Sequence, residues 1–188
     1  MSAPPSWLRA HPVGVLTWLL KPGHSVERAL FEHLLVQDAA VATDVHELAR
    51  RVGQTSAAVA RALFALVRTE SLAVHVESPS ASVYRAGGLA QLQADLLELG
   101  RPGQKLVLAS HDGFCMASVS CTRYEEEVLA ASAGTRGGAL QTHTLRFGLH
   151  RVDLVASEPI DRRSPALLHL GRRLLSFYGQ QNCGENGL

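Results

Sequence analysis

Residues 44–72 read DVHELARRVGQTSAAVARALFALVRTESL, and their spacing decides how the first half of the chain folds. Val45, Leu48, Ala49 and Val52 fall at i, i+3, i+4 and i+7, one face of a short helix. Asp44 stands in front of them as an N-cap, and Glu47 is placed to reach back and complete a capping box. Gly53 comes where that helix must stop, suited to a left-handed turn residue. Thr55 or Ser56 then caps a second helix, with Val59, Ala62, Leu63, Leu66 and Val67 on its inward face. A turn as short as Gly53 to Ser56 sets two helices at a steep angle, as in a helix-turn-helix.

Working outward, Leu30, Phe31 and Leu34 belong to an earlier helix capped near Ser25, closing a trihelical core with Val45, Leu48, Val59 and Leu63. The apolar run Val13 to Leu20, bounded by Pro12 and by Lys21-Pro22-Gly23, reads as a strand or short buried segment. Leu72 to Glu77 alternates like a strand, Ser78 to Ser82 is turn material, and Val83-Tyr84-Arg85 can return as a partner strand. Strand, turn and strand after the second helix make a wing. The run Val45, Leu48-Ala49, Val52-Gly53, Thr55-Ser56, Val59, Leu63, Leu66 and Leu72 resembles the winged helix-turn-helix DNA-binding domains of bacterial regulators, over about residues 13 to 87.

That resemblance implies that the start of the second helix enters the major groove of duplex DNA. Gln54, Thr55 and Ser56 would meet phosphates or base edges. Arg61 and Arg68 share one helix face, and arginine can read guanine with two hydrogen bonds. Arg50 and Arg51 would contact the DNA backbone, and His75, Tyr84 and Arg85 the DNA from the wing. A plainer alternative stays open: Arg50 and Arg51 suit a helix C-terminus through the macrodipole, and Arg61 and Arg68 suit a solvated surface. Phe64 departs from the pattern, because its outward position is usually polar; it would pack on the wing or on a partner.

Charge constrains this expectation. Residues 1–87 hold eight Lys or Arg against seven Asp or Glu, and residues 88–188 hold ten against ten. The whole chain is +1, with pI ≈ 7.9. Non-specific DNA affinity comes from neutralised phosphates, so the cations must cluster on one face, act in a dimer, or belong to a protein-binding adaptor. Apolar residues make up 46% of the chain, enough for packed cores. No apolar run approaches the ~20 residues of a membrane helix. No small-residue cleavage site follows Val13–Leu20. Three cysteines, an odd number, fit a reducing compartment. The expectation is a cytoplasmic protein with no membrane partner, nucleoid-associated if it binds DNA.

Gly87-Gly88 divides the chain into a first domain, 1–87, and a second, 88–180, with a tail over 181–188. Leu89, Leu92, Leu96 and Leu99 give an amphipathic helix ending at Gly100. KLVLAS (105–110) is a buried strand, His111-Asp112-Gly113 a tight hairpin, and FCMASV (114–119) its antiparallel partner. Thr122 caps a helix over Arg123 to Ala133, with Glu125, Glu126 and Glu127 in its favoured first turn. Leu140 to Leu149 and Arg151 to Ser157 read as two more strands. Pro165 opens a last helix faced by Leu167, Leu170, Leu174 and Phe177. Leu106-Val107-Leu108, His111-Asp112-Gly113, Met116-Ala117-Ser118, the glutamate-rich helix and Val152 to Ala156 resemble the roadblock/LC7 family, over residues 88 to 178. The middle helix is shorter than that family prefers, and the segment after Gly134 is compressed. The resemblance implies an α/β module without catalytic residues that dimerises or binds a protein partner, such as a small GTPase. A homodimer would set two winged helices on one duplex.

No constellation supports an enzyme or a cofactor. Cys115 and Cys121 are too widely spaced for a paired zinc motif, and Cys115 reads as core in an alternating strand. Cys183 reads as a free thiol. Glu125 to Glu127 read as a solvated helix start. The glycines of 134–138 do not join a strand to a helix as a phosphate loop does. The nine histidines suggest no triad. Arg172-Arg173 reads as a surface pair on the polar side of the last helix, with a possible phosphate contact in a dimer. The expected fold class is α+β. The expected function is a homodimeric DNA-binding protein, either a transcription regulator or a genome-maintenance factor of the DNA-damage stress response. The alternative is a protein-interaction scaffold.

Overall fold

In the computed structural model, the described residues are 6–77, 79, 88–133 and 140–184. They form an α+β fold with seven α-helices and two antiparallel sheets. The first half runs β1 (Trp7–Ala10), α1 (Pro12–Trp18), α2 (Val26–Leu35), β2 (Val41–Ala42), α3 (Val45–Val52), α4 (Ser56–Arg68) and β3 (Leu72–His75). The second runs α5 (Leu92–Leu99, preceded by a 3-10 turn), β4 (Leu106–Ser110), β5 (Cys115–Val119), α6 (Arg123–Ser132), β6 (Gln141–Phe147), β7 (His150–Ala156) and α7 (Pro165–Gly184).

The caps form largely as the residue types dictate. Asp44 accepts hydrogen bonds from the backbone N–H groups of His46 and Glu47, and Gly53 closes α3 at φ 66°. Ser25 caps α2, and Thr55 caps α4. Thr122 and Glu125 make the reciprocal capping box at the start of α6. The box expected at Asp44 and Glu47 is not made. The Glu47 carboxylate turns to Arg50 and Arg51 instead, where two charge-assisted bonds outweigh one bond to a backbone N–H.

Val13–Leu20 is not a strand. Pro12 starts a helix there, at the position proline tolerates best, and the apolar run is buried by helical packing. Periodicity cannot separate a short apolar strand from a buried helical turn. The Cβ of any larger residue at Gly14 would lie 2.2 Å from the Phe31 ring, so glycine lets α1 sit directly on α2. The strand lies upstream, at Trp7–Ala10, in the middle of the sheet order β2-β1-β3. The wing return expected at Val83 to Arg85 lies outside the described residues. The last helix runs through Gly184, into the segment 181–188 expected as a tail.

The second sheet has the order β5-β4-β7-β6. Its two faces explain the unbroken apolar run in β4. Leu106 and Leu108 point into the main core with Val152 and Leu154, where α5 and α7 also pack. Val107, Ala109 and Val155 point the other way, onto Ala130 and Ala133 at the end of α6. Both faces are covered, so the strand needs no polar alternation.

The main core does not stop at the joint near Gly88. One contiguous cluster joins Leu16, Leu19, Phe31 and Leu66 to Leu96, Leu154, Leu167 and Leu174. Gly171 of α7 lies against Val15 of α1 and against Leu19 just past its end. Polar ties cross the same boundary. Arg146 N–H donates to the Leu19 carbonyl at 2.8 Å, and the Arg28 guanidinium donates to the carbonyls of Lys21 and Arg146. No helix among the described residues is long and apolar enough to cross a membrane.

Candidate nucleic-acid interface

The helix pair built around Gly53 presents α4 on the outside of the first half. Val59, Ala62, Leu63 and Leu66 are buried, and α4 packs chiefly on α2, α3 and β3. Val67, expected inside, is 40% exposed. It sits one residue past Leu66, which turns it roughly 100° away from the buried stripe.

The outward face of α4 carries Arg61, Phe64 and Arg68, at i, i+3 and i+7. Phe64 is 70% exposed. Arg61 and Arg68 are exposed, and neither has a carboxylate partner among the described residues. Their guanidiniums are therefore uncommitted. Arg50 and Arg51 are exposed too, but both pair with Glu47, each at 2.7 Å. Those bonds hold the Glu47 carboxyl below its ordinary range. Any anion that recruits Arg50 or Arg51 must compete with that carboxylate.

At the head of α4 the polar residues already have structural work. The Thr55 hydroxyl accepts from Ala58 N–H at 3.3 Å. Ser56 Oγ lies 3.0 Å from His46 Nδ1, linking the start of α4 to the start of α3. Gln54 is exposed, and its backbone N–H reaches the Ala49 carbonyl at 2.9 Å. His75 ends β3, half-buried, opposite Trp7. Tyr84 and Arg85 lie outside the described residues. The structure thus brings Ser56, Arg61 and Arg68 onto one helix, with Gln54 and Thr55 in the turn that leads into it and Arg50 and Arg51 at the end of the helix before it.

Arg172 and Arg173 do not belong to a surface. They are 9% and 2% exposed. Arg172 Nε donates to the Leu35 carbonyl at 2.6 Å, and its Nη1 to Asp38 at 3.0 Å. Arg173 forks onto Asp95, with Nε at 2.6 Å and Nη2 at 3.2 Å from the two carboxylate oxygens. Leu170, Arg173, Leu174 and Phe177 fall at i, i+3, i+4 and i+7, and so do Leu92, Asp95, Leu96 and Leu99. Opposite charges set into two apolar stripes were the available sign of a buried pair.

Cys115 is exposed rather than core, at the outer edge strand where the register with β4 shifts. Burial, with the carboxylates of Glu125 and Glu126, pushes the half-buried Cys121 thiol up, away from the nucleophilic thiolate. No group of three or more His, Cys, Asp or Glu among the described residues could hold a metal ion. Compared with protein-family models, curated proteins and solved structures, the chain matches none.

Proposed function

We propose that this protein binds duplex DNA through α4 as a homodimer, and acts as a transcription regulator or as a genome-maintenance factor of the DNA-damage stress response. The observation that carries this is the pair Arg61 and Arg68, exposed on the open face of the second helix of a helix-turn-helix and without a carboxylate partner among the described residues. On a chain with net charge +1, affinity must come from such a local cluster, since bulk charge supplies little. The three helices α2, α3 and α4 with the sheet β2-β1-β3 suit a winged helix-turn-helix. The outer edge of β3 is where a wing strand would add.

In the same reading, residues 88–178 form a roadblock-like module that assembles the dimer. Tyr124 and Val128, four residues apart on α6, are both exposed apolar residues, and a second copy of the chain would cover them. Protein contact is the second reading for α4 itself. Phe64 favours it, because a large exposed ring between two arginines also fits a partner protein, such as a small GTPase, in a scaffold that binds no DNA.

Anisotropy of a labelled duplex, measured across a salt series, separates the two. DNA binding predicts a log–log salt dependence whose slope falls by about 1 in Arg61→Ala and again in Arg68→Ala. Binding that is unaltered in both variants, or absent at low salt, removes α4 from the DNA-binding role. Val128→Arg should convert a dimer to a monomer in sedimentation; a monomeric wild-type chain refutes the assembly half of the proposal.

A further inference from the structure

A cleft of about 360 Å³ opens where the two halves meet. From the first half it is lined by Arg9 and His11, at the end of β1 and the start of α1, and from the second by Arg163 and by His169 and Arg172 of α7. Pro12, Leu34 and Leu168 supply apolar wall, and no aspartate or glutamate among the described residues lines the space.

The charges can be accounted for one by one. Arg172 is committed to the Leu35 carbonyl and to Asp38. Arg163 is paired with Glu70 at 2.9 Å, both side chains largely exposed. Arg9, half-buried on β1, has no ion-pair partner among the described residues. One positive charge is therefore left over beside an apolar wall. His11 adds a donor. Its Nδ1 is buried without a hydrogen-bond partner among the described residues. An orphaned N–H is the rarer and costlier arrangement, which places the ring proton on Nε2.

We propose that this cleft is a binding site for a small organic oxyanion, a carboxylate or phosphate carried on a short apolar body. Arg9 forks onto the oxyanion, the His11 imidazole donates to it, and the body rests on Pro12, Leu34 and Leu168. The volume lies at the lower end of the roughly 300–1,000 Å³ of small-molecule sites, so the ligand is compact. The site draws on both halves, so occupancy stabilises their junction. This does not depend on DNA binding. If α4 does bind DNA, Ala73, which lines the cleft from β3, gives the ligand a route to the wing.

Calorimetric titration of the full chain with benzoate, phenyl phosphate and the neutral control benzyl alcohol tests the site. One of the two acids should bind saturably, about tenfold or more tighter than benzyl alcohol. The stronger acid tells which headgroup the site takes. Arg9→Gln should weaken that binding about tenfold with no change in the urea midpoint. Glu70→Gln, which releases Arg163 toward the cleft, should tighten it. Heats that do not saturate for either acid, equal binding of benzyl alcohol, or undiminished affinity in Arg9→Gln overturns the proposal.

Discussion

Arg173 lies on α7, 2% exposed and forked onto a buried aspartate, while Arg61 lies on α4, facing solvent with no carboxylate partner among the described residues. Each sits in a helix among leucines and alanines, and each is followed within seven residues by another arginine or an aromatic. The difference is register. Arg173 shares a stripe with Leu170, Leu174 and Phe177; Arg61 shares one with Phe64 and Arg68, opposite Val59, Ala62 and Leu66. A buried guanidinium is fixed by its partner and holds two helices together. An exposed one keeps all its donors for something that arrives from outside.

The sharpest way to break that comparison is to truncate the buried member. Arg173→Ala leaves Asp95 as an uncompensated buried charge, and removing one partner of such a pair costs roughly 3–5 kcal/mol. The urea midpoint should collapse accordingly. Much of the loss should return in Arg173→Leu combined with Asp95→Leu, because an apolar pair of similar volume avoids desolvating two ions. If the single variant unfolds at the wild-type midpoint, the fork is not holding α5 to α7. Arg172→Ala comes next, at about 1–3 kcal/mol: it orphans the carbonyls of Leu35 and Gln37, but Asp38 is exposed and regains water.

How much of this was legible depends on how local each feature is. The caps at Ser25, Asp44, Thr55 and Thr122 and the turn at Gly53 need only residues within four positions, and all were readable. So were the four strands of the second sheet, whose alternation or apolar runs are bounded by turns. β1 was missed because its partners are distant: Trp7 pairs with Ala42 and with His75. Four residues carry too little pattern to announce such a strand. Val13–Leu20 reads as a strand or short buried segment because so short an apolar run fits either period. The Arg173–Asp95 pair escapes a helix-by-helix reading because its partners lie 78 residues apart, although both stand in apolar stripes. On α4 the outward residues were legible as a face; what that face meets was not, since Phe64 argues for protein and the arginines for a polyanion.

Truncating the exposed members should do the reverse of truncating the buried one. Arg61→Ala and Arg68→Ala remove no contact from the core, so stability should stay within about 0.5 kcal/mol of wild type. The effect belongs in the salt dependence of DNA binding. A large loss of stability in either variant would mean that α4 is covered in solution, and the contrast with α7 would vanish.

The smallest effect concerns two histidines, each beside an arginine. Burial and the charge of Arg51 lower the pKa of His33 from its usual 6.5. Burial and Arg162 do the same to His143. In both rings Nε2 is buried without a hydrogen-bond partner among the described residues. With the folded pKa depressed, the unfolded chain takes up protons first as pH falls. Stability from these rings is complete above about pH 6.5. It is lost progressively as pH drops from there toward the folded values, so the slope of stability against pH is positive in that window. Ring-proton NMR titration reads this directly: both resonances should move below pH 6.5, and the His33 midpoint should rise in Arg51→Gln while that of His143 stays still. Midpoints at or above 6.5, or a His33 midpoint indifferent to Arg51, would show that the exposed arginines of the first half exert no field on its interior, leaving solvent to screen them fully.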